Sequence, residues 1–511
     1  MHQVNSYYDL INRAVEQIVP ELILLATVCV MFLTGPFLVS ATGAARPGLR
    51  HRWGVLSLLA LSAAGLAWTQ TSNLEPGVGP FRSDQFLWFI RGISLVAGML
   101  LTLLLWDHVD DGHSAEAYAC LLSILAGVNL VARANDLVGL FLGLELVSLP
   151  TYVLLLIPWR GRSTSEAGIK YFLLSVFSSA ILLYGFSLLF GLAGTTNLTA
   201  IADRAAAGCF SVQPGLFRIA MVLVIGGLSF RLAAVPFHFY APDVFQGSTT
   251  SMAALLAFIP KVVGVAALLR LLPVCFGSAE PAHWVPTESI RVILGLVAGL
   301  TMFAGNLMAV RQTSLLRLLA YSSIAHAGYM LAGLAVGSNA GGASGIAAVL
   351  FYLAVYGIMT LGVFAVLVAA ASDSAPLNSL NDLGGLSRAQ PLAALLLAVC
   401  VFGLSGLPPT VGFLGKLNLL AATWSDGTFF GRSLAAVLAL NAVIGAVYYL
   451  RLITLMYFED PAARSVFLPS AEQPTAHPTA WIAGVACAVA TLGLFVMPQW
   501  LWDAASLLKG H

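Results

Sequence analysis

The sequence predicts an all-α polytopic membrane protein of about fourteen transmembrane helices, an expectation carried by three observations. Of the 511 residues, 59% are hydrophobic and only 9% are charged, with a mean hydropathy of +0.89. A soluble globular domain carries about 25% charged residues. This chain lacks the charge to cover a water-facing surface, and lipid is the solvent that tolerates it. Stretches of roughly 20 mostly apolar residues, the length that crosses the hydrocarbon core, recur along the whole chain. The connections between them are short and none is polar enough for a folded soluble domain, so one membrane domain is expected over 1–511.

The first span is expected near 15–40. It follows the segment MHQVNSYYDLINRAVEQIVPEL, which lacks the basic start, short apolar core and small-residue cleavage site of a secretory signal and reads as a retained, partly amphipathic lead. Spans near 53–70 and 86–106 complete an N-terminal group over 1–114. Five more follow near 115–133, 136–158, 166–192, 216–240 and 249–273. A second set of five lies near 288–309, 314–337, 343–371, 391–422 and 432–457, and a last helix near 477–502. Two of these spans are interrupted by proline: LSFRLAAVPFHFYAPDV, with Pro236 and Pro242, and VFGLSGLPPTVGFLGKLNLL, with Pro408 and Pro409 behind Gly406. Proline removes a backbone donor and clashes with the preceding turn. In hydrocarbon the freed carbonyls must be met by protein or water. Broken helices in separate halves of a transporter point to inverted repeats around a mid-membrane site. The two breaks lie five spans apart, so two inverted five-helix repeats are expected, near 115–273 and 288–457.

Lysine and arginine in short loops set orientation. Arg46, Arg50 and Arg52, then Arg160 and Arg162, then Arg311 and Arg317 all follow odd-numbered spans, which puts those loops in the cytoplasm and both termini outside. The six cysteines, Cys29, Cys120, Cys209, Cys275, Cys400 and Cys487, are scattered without a CxxC pair and read as small apolar residues rather than metal ligands. A net charge of +1 supplies no basic patch for nucleic acid. There is no phosphate-binding loop, no dinucleotide glycine fingerprint and no nucleophile triad. The chain carries no visible energy source, so any pumping must be driven from elsewhere.

Against that apolar background a few residues stand out. A charged side chain at a helix centre costs about 2.5–3.5 kcal/mol on insertion scales and is a functional candidate by default. Glu145 in FLGLELVSLPTY, Lys261 in LAFIPKVVGVAALL, His326 in YSSIAHAGYM and Lys416 in GFLGKLNLL all fall well inside expected spans, joined by Arg231 and by His238 just past Pro236. Low dielectric penalises the charged form of any ionisable group. Such a position loads or unloads a proton when a partner charge moves closer or farther. The same residues also admit structural readings. Glu145 with Arg231 is compatible with an interhelical ion pair, Lys261 with snorkelling, and His326 with a hydrogen-bonded core histidine. Lys416 lies beyond a helix break with apolar flanks, where snorkelling has least room. Arg160, Arg162, Arg311 and Arg451 near span ends read as interface anchors.

The segments AGIKYFLLSVFSSAILLYGFSLLFGLAGTTNL, PFHFYAPDVFQGSTTSMAALLAFIPKVVGVAALLRLL, NLMAVRQTSLLRLLAYSSIAHAGYM, GLPPTVGFLGKLNLL and YYLRLITLMYF resemble the antiporter-like subunits of respiratory complex I, in the family's order and over roughly 115–460. The resemblance implies a fold of two inverted five-helix repeats with discontinuous seventh and twelfth helices, set in the bacterial inner membrane. It implies that Glu145, Lys261, His326 and Lys416 form a hydrated proton-transfer axis, with Arg231 and His238 as charge partners. It implies no catalytic or metal site and no cofactor in this chain. NADH, FMN, iron–sulfur clusters and quinone would belong to partner subunits, with the antiporter-like subunit M and small membrane subunits as neighbours. The family usually has lysine where this chain has Arg231. Arginine is effectively always protonated, so Arg231 is expected to be a fixed counter-charge to Glu145 while transfer runs through Lys261, His326 and Lys416. Two alternatives accompany this reading: a subunit of a multi-subunit sodium/proton antiporter, or of a hydrogenase or ferredoxin-driven relative of complex I. A third is a structural spacer whose charges are ion pairs only.

Overall fold

Helices account for nearly every residue in the computed structural model, which describes residues 2–39, 46–70, 79–157, 162–276, 287–338, 344–371, 377–459 and 477–506. The side chains of residues 2–16, 162, 163, 211, 212, 275 and 276 lie outside that description, and with them most of the amphipathic lead, Arg162 and Cys275; Arg160 lies outside the described residues altogether. Thirteen helices among the described residues are long and apolar enough to span a membrane. Two helices of 15 residues each, Pro391–Ser405 and Val411–Ser425, lie on either side of a break and together supply the fourteenth expected span.

The chain sorts into two compact units, Met1–Trp159 and Arg160–His511. The first holds α1 (His2–Leu38), α2 (Leu49–Gln70), α3 (Gln85–Leu105), α4 (Ser114–Arg133) and α5 (Leu137–Leu156). Aspartates start two of these helices. Asp84 accepts from the Leu87 N–H and Asp136 from the N–H groups of Val138 and Gly139, which satisfies donors that no carbonyl of the helix reaches. α4 and α5 approach closely because a residue without a side chain sits between them: a Cβ at Gly143 would lie 2.9 Å from the Val131 amide nitrogen. Small residues at such contacts let backbones approach where lipid supplies no hydrophobic drive for association. Deep in this unit Arg91 of α3 makes a bidentate pair with Glu21 of α1, Nε to Oε1 at 2.7 Å and Nη2 to Oε2 at 2.8 Å, and also reaches the Gln17 carbonyl at 2.7 Å. Arg133 donates to the same carbonyl at 3.1 Å.

The second unit runs α6 (Arg162–Ala193), α7 (Leu198–Ala206), α8 (Pro214–Leu232), α9 (Tyr240–Gly247), α10 (Thr250–Phe276), α11 (Glu288–Val310), α12 (Leu315–Val336), α13 (Gly345–Ala370), α14 (Leu386–Ala389), α15 (Pro391–Ser405), α16 (Val411–Ser425), α17 (Phe429–Phe458), α18 (Pro478–Val496) and α19 (Gln499–Ser506). Its centre is α10, α12 and α13, whose apolar stretches are almost wholly covered by other helices. α6 and α11 instead turn rows of large apolar side chains outward, among them Phe172, Leu173, Phe177, Leu296 and Leu300. In a chain this poor in charge, such faces fit lipid or a neighbouring membrane chain.

Both proline-interrupted spans are broken, and both breaks begin the same way. The span expected over 216–240 ends as helix at Leu232, because Ala233 takes the left-handed conformation (φ 53°, ψ 38°) and Pro236 has no N–H to continue the ladder. The Phe230 carbonyl accepts from the Ala233 N–H and from the Tyr240 hydroxyl, each at 2.9 Å. The second break begins at Gly406, also left-handed (φ 79°, ψ 38°), where the N–H groups of Gly406 and Leu407 both bond the Phe402 carbonyl at 3.1 Å. Glycine is needed here twice over, since a Cβ at 406 would also fall 2.7 Å from Lys416 Cδ. Gly406→Ala is therefore expected to cost about 1–2 kcal/mol for the left-handed backbone, seen as a lower thermal midpoint, and in addition to displace the Lys416 side chain.

Candidate proton-transfer site

Three of the ionisable positions come together at the centre of the second unit. Lys261 of α10, His326 of α12 and Lys416 of α16 are 2%, 1% and 7% exposed. Each is buried too deeply to reach water by stretching, so snorkelling does not account for the lysines. The elements that hold them follow from the local sequence. α10 and α12 are continuous apolar helices that carry Lys261 and His326 near mid-length. Lys416 lies one and a half turns into the half-helix that restarts after Pro408 and Pro409.

Around these three lies a ring of hydroxyls. The Lys261 ammonium donates to Ser323 Oγ, and the Tyr356 hydroxyl lies 3.0 Å from the same oxygen and 3.1 Å from the Ala257 carbonyl. His326 is held at both ring nitrogens, Nδ1 by Tyr352 at 2.6 Å and Nε2 by Tyr449 at 2.9 Å, and Tyr449 in turn meets Ser322. Lys416 donates to the carbonyls of Leu404 and Ser405, each at 2.8 Å. Two tyrosines connect the three groups. The Tyr356 ring lies 5.7 Å from the Lys261 ammonium and 4.9 Å from the imidazole. The Tyr329 ring lies 5.3 Å from the Lys416 ammonium and 5.6 Å from the imidazole. Cations over aromatic faces are stabilised by the ring quadrupole without a carboxylate. Hydroxyls both donate and accept, so each fits between a donor and an acceptor in a hydrogen-bonded chain. Tyr329 leads on to a second buried polar group: Asn306 donates to its hydroxyl at 3.1 Å, accepts from Tyr448 at 3.1 Å and binds Asn441.

The remaining candidates are placed differently. Arg231, in the last turn of α8, is 4% exposed and donates to Ser179 at 3.3 Å. It shares with Lys261 and Ser323 the wall of a cavity of about 10 Å³, room for about one water. His238 stands half-buried in the turn between α8 and α9, and its Nδ1 has no hydrogen-bond partner among the described residues. Glu145 sits mid-way along α5 in the first unit, half-buried. A wider polar cavity of about 650 Å³ opens where α6, α9 and α12 begin or end, lined by Glu166, Lys170, Asp243 and Gln246. Asp243 there bridges Lys170 at 3.0 Å and Arg317 at 2.7 Å.

Sequence reasoning singled out ionisable residues and passed over the hydroxyls, although their spacing was visible. Tyr352 and Tyr356 are four apart on α13 and so face one side of it, and Ser322 and Ser323 precede His326 by one turn, each a helical neighbour of it. The buried Glu21–Arg91 pair was also passed over, because both residues lie near the ends of their spans.

The family described as the membrane region of NADH:quinone oxidoreductase and Mrp antiporters matches residues 134–443. The NADH-quinone oxidoreductase subunit N of Rhodospirillum rubrum is 37% identical over 445 residues, 86% of this chain and 87% of the relative. The protein of the same name from Rhizorhabdus wittichii is 38% identical over 495 residues, 96% of each chain. Among solved structures, a chain of respiratory complex I from Thermus thermophilus with bound aureothin superposes with a TM-score of 0.76 at 30% identity, covering 95% of this chain and 99% of that one.

Proposed function

We propose, from the premise that this chain belongs to the NADH:quinone oxidoreductase/Mrp antiporter membrane-subunit family, that it is the antiporter-like subunit N of a complex I-type enzyme and translocates protons. The observation that carries this reading is the grouping of Lys261, His326 and Lys416, buried together and joined through Tyr356 and Tyr329. Three ionisable groups kept in hydrocarbon cost several kcal/mol that no fold requires. Protons pass along Lys261, His326 and Lys416, with Glu145 as the acid of the first unit. Arg231 is a fixed cation beside Lys261, and His238 stands as a second charge partner. The chain itself binds no redox cofactor. NADH, FMN, iron–sulfur clusters and quinone sit in partner subunits, and quinone reduction there drives the movement of charge. Subunit M and the small membrane subunits are its neighbours in the bacterial inner membrane, with both termini outside. The two matching breaks, after Leu232 and after Ser405, support reading 115–273 and 288–457 as inverted repeats. An Mrp-type sodium/proton exchanger is the second member class of the family. Identity to subunit N over most of the chain favours the first, and genes for a quinone reductase beside this one would agree with it.

The test uses Lys261→Ala and Arg231→Lys in the assembled complex, with NADH-driven quinone reduction and proton uptake measured on the same vesicles. Lys261→Ala is expected to lower both together by about a hundredfold, the small end of what a positioned proton-transfer group contributes. Arg231→Lys is expected to retain more than about half of each, since a cation remains. Wild-type rates in Lys261→Ala would remove Lys261 from the path, and loss of both rates in Arg231→Lys would remove Arg231 from its role as a fixed cation.

A further inference from the structure

His326 is clamped by two phenols, and their hydrogen-bond partners are not equivalent. Tyr449 has a second partner in Ser322, so its hydroxyl proton has somewhere to go when its oxygen accepts from the imidazole. Tyr352 is fully buried, and His326 Nδ1 is its hydroxyl's one hydrogen-bond partner among the described residues. A neutral imidazole donates from one nitrogen and accepts at the other. If Nδ1 carried the ring proton, the Tyr352 proton would be left in the core without an acceptor, at a penalty comparable to a lost hydrogen bond. The arrangement that satisfies both phenols and both ring nitrogens has Tyr352 donating to Nδ1, Nε2–H donating to Tyr449, and Tyr449 donating to Ser322, whose own proton is free to turn to its helix backbone.

We propose that Tyr352 is a positioning residue that holds His326 in the Nε2–H tautomer and gates its protonation. Nδ1 takes up a further proton only when the Tyr352 hydroxyl turns away from it. The proposal rests on the reading of His326 as a proton-transfer group and adds the device that controls it. The Tyr352 ring lies against α16 at Gly415, where any Cβ would come within 2.7 Å of it. The gate is therefore in contact with the backbone next to Lys416, and movement of that half-helix moves the phenol. The other ionisable and charged groups facing the imidazole are Lys261 from α10, Lys416 from α16, Tyr329 of its own helix, Tyr356 from α13 and Tyr449 from α17.

The experiment is nitrogen NMR on the complex labelled with ¹⁵N-histidine, the His326 signals identified by their loss in His326→Gln. Wild-type complex is expected to show Nε2 protonated and Nδ1 as an accepting nitrogen. In Tyr352→Phe the second tautomer appears and coupled proton uptake falls about a hundredfold, whereas Tyr449→Phe keeps the Nε2–H tautomer. A wild-type spectrum with Nδ1 protonated overturns the proposal, as does an unchanged His326 spectrum in Tyr352→Phe. The wild-type spectrum decides even if a variant fails to assemble. The parent reading fails separately, through wild-type proton uptake in His326→Gln.

Discussion

Replacing Lys416 with alanine is expected to leave the complex assembled while quinone reduction and proton uptake fall together by about a hundredfold or more, the least a positioned proton-transfer group typically contributes. Lys416 is the strongest of the candidate groups because nothing structural explains its placement. Its ammonium is held by the Leu404 and Ser405 carbonyls and lies against the Tyr329 ring. Those carbonyls are already at a helix end, where a water or hydroxyl satisfies them equally well. Truncation therefore leaves a small polar cavity next to hydroxyl-bearing neighbours rather than an unpaired charge, and the fold is expected to tolerate it. The paired measurement separates three outcomes. Loss of both rates puts Lys416 on a path tightly coupled to redox chemistry. Loss of uptake alone means a bypassed pump. Wild-type values for both, with normal assembly, would make the lysine structural and remove the main support for a channel through α16.

The opposite behaviour is expected of Arg91. Arg91→Met strands the Glu21 carboxylate in the interior of the first unit, with both guanidinium bonds gone and Arg133 bound to the neighbouring Gln17 carbonyl. Breaking one partner of a buried pair costs about 3–5 kcal/mol, a large part of the stability of any domain. The amount of assembled complex and its thermal midpoint are expected to drop, while turnover per assembled complex stays near wild type. Adding Glu21→Leu to Arg91→Met removes the stranded charge and is expected to restore most of the loss. A single variant of wild-type stability, or a double variant no better than the single, would show that water reaches Glu21 and that the pair contributes little.

These two arginine and lysine sites also show what the sequence makes legible. Most spans were readable to within a few residues because lipid imposes one rule, an apolar stretch of fixed length, on every element. The breaks were readable from Pro236 and Pro408, although where each helix stops depends on Ala233 and Gly406 adopting left-handed backbone, and nothing at Ala233 announces that. Lys261, His326 and Lys416 were found from their cost in hydrocarbon alone. The tyrosines and serines that organise them were not, because a hydroxyl in a membrane helix usually bonds its own backbone. Ser148 and Thr151 do so in this chain, each reaching the carbonyl four residues earlier. Only packing distinguishes Ser323, which takes the Lys261 proton donor, from such bystanders. His238 illustrates the reverse: its position after Pro236 made it conspicuous, yet it lies in a half-buried turn.

The bonds from Lys416 to the carbonyls of Leu404 and Ser405 have a consequence for how charge is counted in this protein. These carbonyls close the C-terminal end of α15, where the aligned peptide dipoles amount to roughly half an elementary negative charge. That negative end belongs to no titratable group. It stabilises the ammonium when present and leaves no naked anion behind when the proton departs. A carboxylate in the same place would have to be neutralised or re-paired each time the lysine discharged, so two charges would move for every proton passed. If Lys416 carries protons as proposed, a broken helix as its counter-pole lets it change charge one unit at a time, with a single approaching or receding cation enough to control it.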